Sequence, residues 1–137
     1  MENAFGAKDM FTPYGDGPLK IDGMRGLVYG PPPALQAECD TALADFAAYV
    51  ENTGRHLLVV TMPLLGEWSD KYDRDSKART HLAETIRGAL KGRSAKFWDA
   101  WSRLTLPAQD YTDAVHLRGS AAPGFTRQLV KATGFGS

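Results

Sequence analysis

The stretch RHLLVVTMPLL, residues 55–65, decides how this chain folds. Its centre is a continuous run of apolar and β-branched residues of strand length, and Pro63 closes the run. A strand with one face in water alternates polar and apolar residues, whereas a run without alternation is typical of a strand covered on both faces. The stretch therefore predicts a strand of a parallel sheet, and the helices that cover it should lie before and after it in the sequence.

Apolar residues do recur at helical spacing on both sides of this strand. The complete pattern predicts three helices and two strands, in the order helix 35–50, strand 57–63, helix 78–91, strand 95–99 and helix 120–133. Glycines at positions 54, 92 and 134 follow the helical patterns, where glycine readily ends a helix. The predicted fold class is α/β, with a right-handed connection between the strands. Two strands are few for a free-standing parallel sheet, so the chain looks like part of one.

The composition of the chain indicates one globular domain of 137 residues. Lysine plus arginine equal aspartate plus glutamate at 16 each, so no net charge favours nucleic acid or an acidic membrane as a partner. No apolar run approaches the about 20 residues that a membrane-spanning helix needs. The N-terminal sequence MENAFGAKDMF has no signal-peptide pattern. We therefore expect a cytoplasmic protein by default, or an extracytoplasmic one if the chain is a fragment of a larger protein.

The first 33 residues differ in character from the rest. They are rich in glycine and proline and contain no long periodic pattern, although the short apolar run Gly26–Tyr29 is compatible with an edge strand. We interpret residues 1–33 as an irregular segment that packs on another part of the fold. Residues 34–137 form the predicted α/β domain.

The most chemically specific residues stand in the stretch DYTDAVHLRGSAAPGF, residues 110–125. Asp113 and His116 lie three residues apart in a predicted loop, a poor pattern for a core but a good one for holding an imidazole beside a carboxylate. A serine hydroxyl becomes a nucleophile when an imidazole accepts its proton, and a carboxylate on the other ring nitrogen fixes the tautomer of that imidazole. Two plainer interpretations stay open: His116 as a surface histidine, and Asp113 as a turn or cap residue. Asp110 is a weaker candidate for the acid.

The two predicted strands, the loop DAVHLRGSAAPGF and the last helix resemble the C-terminal half of the SGNH (GDSL-type) hydrolases, a family that includes polysaccharide O-acetyltransferases. The resemblance implies a partial three-layer, flavodoxin-like parallel sheet with flanking helices. It also implies action on ester-linked acyl groups, for example on an acylated carbohydrate, without a cofactor. In that family His116 would be the general base of a Ser-His-Asp triad, and Asp113 would orient it. The Gly-Asp-Ser nucleophile block of the family has no counterpart, because YGDGPLK has Gly17 in the place of the serine.

The other serines, the other histidines and the cysteine fit structural roles better than catalytic ones. Ser69 is predicted in a solvated loop without the sharp turn of a nucleophile elbow, and Ser120 is predicted as the N-cap of the last helix. His56 and His81 have no second ligand at a metal-binding spacing, so no metal site is predicted. Cys39, the single cysteine, excludes an intramolecular disulfide and is expected to be buried on the apolar side of the first helix.

The three tryptophans have two predicted roles. Trp98 and Trp101 are expected to pack against the sheet, and Trp68, in a charged stretch, is a candidate for lining a pocket.

Two functions from different classes stay open. The first is the C-terminal part of an SGNH-type esterase or O-acyltransferase, completed by a serine from another segment or another chain. The second is a non-catalytic α/β protein-interaction module. The unpaired strand edges predict self-association or the binding of a complementary N-terminal segment, and a compact monomer would favour the second function.

Overall fold

The computed structural model describes residues 30–135. The regular elements, in chain order, are α1 Ala37–Asn52, β1 Leu58–Thr61, α2 Gly66–Tyr72, α3 Lys77–Ala89, β2 Lys96–Asp99, α4 Ala100–Arg103 and α5 Ala122–Thr133. A short 3-10 turn, Ala108–Asp110, precedes the loop that holds the candidate acid and base. The possible edge strand Gly26–Tyr29 and the tripeptide that ends at Gly17 lie outside the described residues.

The two strands form a parallel pair, as the apolar run predicted. Leu58 lies opposite Lys96, and Thr61 lies opposite Asp99 at the carboxyl end of the sheet. There the buried Thr61 hydroxyl donates to Asp99 Oδ1 at 2.8 Å and accepts the backbone N–H of Trp101 at 3.2 Å. The α/β class and the parallel pairing are thus confirmed. The hydrogen bond between Thr61 and Asp99 links the carboxyl ends of the two strands.

Helix α2 corrects the prediction of a loop around Ser69. The seven residues GEWSDKY include one buried residue, Trp68. A single buried residue cannot show the apolar periodicity by which a helix is predicted from sequence. Trp68 is buried, and its indole N–H donates to the backbone oxygen of Gly30 at 3.2 Å. Ser69 therefore lies on a helix that packs on the core.

Two clusters of buried side chains hold the fold together. The larger cluster lies where α2, α4 and the loop after residue 110 meet, and consists of Leu65, Trp68, Trp101, Tyr111 and Ala114. The second lies between α1 and α3 and consists of Ala47, Ile86 and Leu90. Trp98 is also buried, with its ring centroid 5.6 Å from that of Phe125 on α5. Trp98, on β2, and Trp101, in the larger cluster, are both buried.

The outer part of α1 corrects the expectation for Cys39, which is exposed. The second cluster reaches α1 at Leu43 and Ala47, one turn and more beyond Cys39, so this cluster does not cover the first turn of the helix. Phe46 and Tyr49 are likewise 53% and 63% exposed. Periodicity identified the helix, but within residues 30–135 the second cluster covers only part of its apolar stripe.

The start of α5 corrects the prediction for Ser120. The N-cap is Ala121, without a side-chain capping bond, and Ser120 lies in the preceding turn. Pro123 stands in the first turn, as expected, and Gly134 ends the helix with a left-handed φ of 60°.

No helix in the described part of the chain combines the length and the hydrophobicity that crossing a bilayer requires.

We expect this chain to self-associate, or to bind a complementary N-terminal segment, through the edge of strand 57–63 or of strand 95–99. Within residues 30–135 the sheet has two strands, so each leaves one edge of backbone N–H and C=O groups available for pairing. Light scattering behind size exclusion at micromolar concentration should give a mass above that of the monomer, and amide exchange should show which strand is protected by association. A compact monomer with both strands strongly protected would contradict the prediction.

Candidate functional site

Residues 110–118 fold back on themselves as a narrow hairpin. Tyr111 and Leu117 form an antiparallel bridge, and the Arg118 N–H donates to the backbone oxygen of Asp110 at 2.7 Å. Nearer the tip, the Thr112 N–H donates to the backbone oxygen of His116 at 2.9 Å. These cross-links fix the backbone on both sides of the residues between Thr112 and His116.

The hairpin is attached to the connection between β1 and α2. The Leu65 N–H donates to the backbone oxygen of Ala114 at 3.0 Å, and the Tyr111 hydroxyl donates to the backbone oxygen of Leu64 at 3.2 Å. Burial, together with the charge of Asp110, raises the pKa of Tyr111 to about 12, so its hydroxyl stays protonated and able to donate at neutral pH. Because Leu64 and Leu65 follow the carboxyl end of β1, the hairpin lies at the edge where open α/β sheets bind ligands.

Asp113 and His116 are joined within this hairpin. Asp113 Oδ2 lies 2.8 Å from Nδ1 of His116, while Asp113 Oδ1 accepts the backbone N–H groups of Val115 at 2.9 Å and of His116 at 2.8 Å. The side chain of Asp113 is 9% exposed and that of His116 is 65% exposed. A carboxylate on Nδ1 favours the tautomer with the proton there, which leaves Nε2 as the nitrogen that can accept a proton. This is the geometry that a general base and its orienting acid require.

The hydrogen bonds set the charge state of Asp113. Burial alone would raise the pKa of this carboxyl. The bonds from the Val115 N–H, the His116 ring and the His116 N–H, with the charge of His116, outweigh burial and hold the pKa below its usual range. Asp113 is therefore a carboxylate at neutral pH, as an orienting acid must be.

Acidification should destabilise the hairpin through Asp113. A carboxyl whose pKa is lower in the folded than in the unfolded state stabilises the fold above the unfolded pKa of about 3.9, and this contribution is lost as pH falls through the folded value. Urea unfolding at a series of acidic pH values measures the loss. Asp113→Asn cannot titrate at this position, so its free energy of unfolding should fall less on acidification than that of the unmodified protein. An equal fall in both proteins would show that Asp113 is not the group responsible.

Ser69 and Asp110 make no hydrogen bond to the Asp113–His116 pair within residues 30–135. The hydroxyl oxygen of Ser69 lies 3.5 Å from Nε1 of Trp101, and within the described residues it makes no hydrogen bond to His116. Asp110 contributes its backbone oxygen to the hairpin, and its carboxylate is not hydrogen-bonded to His116 within residues 30–135. Ser120 lies in the turn before α5. Among the described residues no three of His, Cys, Asp and Glu lie close enough to hold a metal, and His56 and His81 are exposed.

A buried acid that the sequence did not single out lies at the start of α3. Asp73 accepts the Ala78 N–H at 2.8 Å through Oδ1 and pairs with Nε of Arg79 at 3.3 Å through Oδ2. In the sequence it stands within the charged run DKYDRD, which is typical of a solvated surface. The only signal that could have distinguished it is its place a few residues before an amphipathic helix, where an acidic side chain caps N–H groups.

Comparison of this chain with protein-family models, with curated proteins and with solved structures gives no match. The functional assignment therefore depends on side-chain geometry, chiefly on the pairing of Asp113 with His116.

Proposed function

We propose that this chain is the C-terminal part of an SGNH-type (GDSL-type) esterase or O-acyltransferase, with His116 as general base and Asp113 as its orienting acid. The serine would come from another segment or another chain, and the two strands would belong to a larger three-layer, flavodoxin-like sheet. The observation that supports this best is the 2.8 Å bond between Asp113 Oδ2 and His116 Nδ1, with the acid buried and the ring exposed. A buried orienter and an accessible base are what acyl transfer to an incoming hydroxyl requires.

The chemistry assigned to the pair is proton transfer during acyl exchange. Nε2 of His116 takes the serine proton as the serine oxygen attacks the ester carbonyl, and Asp113 stabilises the imidazolium that forms. The imidazolium then protonates the departing alcohol, which leaves an acyl-serine. Attack by water on that acyl group releases an acid, and attack by a sugar hydroxyl yields a new ester. His116 accepts the proton of the attacking group in either case and returns it to the serine oxygen.

A second candidate is a non-catalytic α/β module for protein interaction. The exposed aromatic side chains Phe46 and Tyr49 on α1 favour it, because aromatic residues are enriched at protein interfaces. Asp113 Oδ1 also holds the backbone of the turn whether or not any chemistry follows. Activity separates the two functions, since this candidate predicts none in any completed form of the protein.

The 137-residue chain alone should carry no activated serine. A fluorophosphonate probe should not label it, and its turnover of p-nitrophenyl acetate should not exceed that of His116→Ala. The reason is that no Gly-Asp-Ser block stands in the sequence and Ser69 is hydrogen-bonded to Trp101 instead of to His116. Mass spectrometry of the probe-treated protein gives the answer directly. Stoichiometric labelling of Ser69 or Ser120 would overturn this account of the nucleophile.

The proposal itself is tested by the sequence encoded immediately upstream of this chain. A Gly-Asp-Ser directly after an apolar strand is expected there, and the protein extended by that segment should be labelled at that serine. Labelling should slow sharply in His116→Ala, because the serine then lacks its base. An extended protein that is labelled equally well without His116 would reject the proposal.

A further inference from the structure

A polar cavity of about 230 Å³ opens beside α2, next to the β1–α2 connection to which the hairpin is attached. Its walls include Leu64, Ser69, Asp70, Arg74, Arg79 and Trp101. At about 30 Å³ per water molecule the space equals roughly seven or eight waters, which is room for a small organic molecule. The Asp113–His116 pair is not among its walls, so its contents are a separate question from the chemistry of the hairpin.

One arginine of this cavity is held in place. Arg79 Nε lies 3.3 Å from Oδ2 of the fully buried Asp73, and Nη2 donates to the Ser76 hydroxyl and, at 3.5 Å, to the backbone oxygen of Asp73. The Arg79 side chain is 26% exposed. These contacts use Nε and Nη2, whereas Nη1 makes no hydrogen bond within the part of the chain that the structure describes. A fixed guanidinium with one nitrogen still available is suited to a ligand oxygen.

The second arginine supplies a charge that no described residue pairs with. Arg74 makes no ion pair or hydrogen bond with any residue between 30 and 135, and within the same range Asp70 is the one carboxylate in the cavity walls. Asp70 and Asp73 together match the two guanidinium groups in number, so each negative charge of a bound anion is added to a site without net charge. Asp73, outside the cavity walls, already partners Arg79. The balance favours a monoanion over a dianion such as phosphate, because an unbalanced charge in a partly closed site is costly.

The opposite wall combines an apolar surface with a hydroxyl donor. The Trp101 side chain is nearly buried, and its indole N–H lies 3.5 Å from the Ser69 hydroxyl oxygen. Because that oxygen faces a donor, the hydroxyl hydrogen of Ser69 can turn to another acceptor. Ligand oxygens would therefore meet N–H and O–H donors, while the ligand's carbon skeleton would meet the indole.

We propose that this cavity binds the carboxylate of a small organic acid. Arg74 and Nη1 of Arg79 pair with the carboxylate oxygens, in the planar geometry that guanidinium and carboxylate groups share. Ser69 donates to the same group, and Trp101 packs against the carbon skeleton. This inference goes beyond the proposed acyl chemistry and holds whether or not the hairpin is catalytic.

The test is a two-dimensional NMR titration of the full chain with D-glucuronate, and with D-glucose as the matched probe that lacks the carboxylate. Glucuronate should shift the Trp101 indole and Ser69 amide signals saturably, and glucose should not. Arg74→Gln should raise the Kd by about tenfold, because it removes a charge-assisted hydrogen bond. Arg74 is exposed, so this change should leave the fold intact. Arg103→Gln, on α4 but outside the cavity walls, and His116→Ala should both bind glucuronate like the unmodified chain.

Several results would overturn the proposal. Absence of saturable shifts with glucuronate would do so, as would equal shifts with glucose. Binding of glucuronate by Arg74→Gln with an unchanged Kd would show that Arg74 is not a ligand. Inorganic phosphate binding more tightly than glucuronate would assign the site to another class of anion. A result on the cavity is separable from the proposed acyl chemistry, because no outcome of this titration depends on a serine nucleophile.

Discussion

Replacing Tyr111 by alanine should lower the free energy of unfolding by about 3–5 kcal/mol, the usual range for removing a large buried aromatic side chain. Tyr111 has no exposed surface and packs in the cluster that also contains Trp68 and Trp101. Its hydroxyl makes one of the two hydrogen bonds described above between the hairpin and the β1–α2 connection. The change therefore opens a cavity in the core and loosens the candidate site together. Urea unfolding followed by tryptophan fluorescence measures it, since both indoles lie in the affected cluster.

Tyr111→Phe is the matched control for that experiment. It keeps the ring and removes only the hydroxyl, so the Leu64 oxygen loses one hydrogen bond, at a cost of about 1 kcal/mol. The difference between the two variants isolates the contribution of the packed ring. If the alanine variant lost no more stability than the phenylalanine variant, Tyr111 would not be the packing centre that its burial indicates.

Asp113→Asn should lower kcat of the completed enzyme by about 10⁴-fold, the loss expected when the orienting acid of a triad becomes an amide. The asparagine oxygen can still accept the Val115 and His116 N–H groups, so the turn should survive. Its amide N–H would then face Nδ1 of His116 and favour the tautomer with the proton on Nε2. A ring in that tautomer cannot accept the serine proton, although its position has hardly changed.

The tautomer of His116 can be measured in this chain without a nucleophile. Nitrogen NMR of the imidazole should show the proton on Nδ1 in the unmodified protein and on Nε2 in Asp113→Asn. Asp110→Asn is the control, because the Asp110 carboxylate makes no hydrogen bond to His116 within the described residues and its replacement should leave both the tautomer and kcat unchanged. An Asp113→Asn enzyme that keeps nearly full kcat although the proton of His116 has moved to Nε2 would mean that His116 is not the base.

The parts of the fold that could be predicted from the sequence are those encoded by local patterns. The apolar run around Val59 and Val60 gave the strand, and the amphipathic spacing of Leu82, Ile86 and Leu90 gave α3, because each element buries its own regular face. Helix ends were predictable where only glycine fits easily, and Gly134 does adopt a left-handed φ. These features can be predicted without knowing the tertiary contacts of each element.

The errors are at positions where the environment is set by distant parts of the chain. Cys39 and Phe46 follow the apolar period of α1 but are exposed, because the second cluster covers only part of that helix. Helix α2 has too few inward residues to show a period. Ser120 has the chemistry of an N-cap, yet the preceding turn shifts the cap to Ala121. Tertiary context overrides local preference in each case.

The candidate site divides in the same way. The spacing of three residues between Asp113 and His116 was enough to predict that one loop would join them, since both side chains reach across a single turn. The attachment of that loop to Leu64 and Leu65 was not predictable, because it joins residues nearly fifty positions apart. The cavity lined by Arg74 and Arg79 forms where α2, α3 and α4 meet, so it could not be predicted from the sequence either.

The two carboxylate oxygens of Asp113 have different roles, and this difference would affect which residues of the loop are conserved during evolution. Oδ1 holds the backbone of the turn and Oδ2 holds the imidazole, so one side chain is constrained twice. The turn needs only the backbone N–H of residue 116, and any residue other than proline has that N–H. A lineage that lost acyl chemistry would therefore keep an aspartate at position 113 for the sake of its shape and let the histidine drift. Among divergent homologues, a histidine retained at position 116 would record selection for chemistry, and a retained aspartate would record selection for the turn.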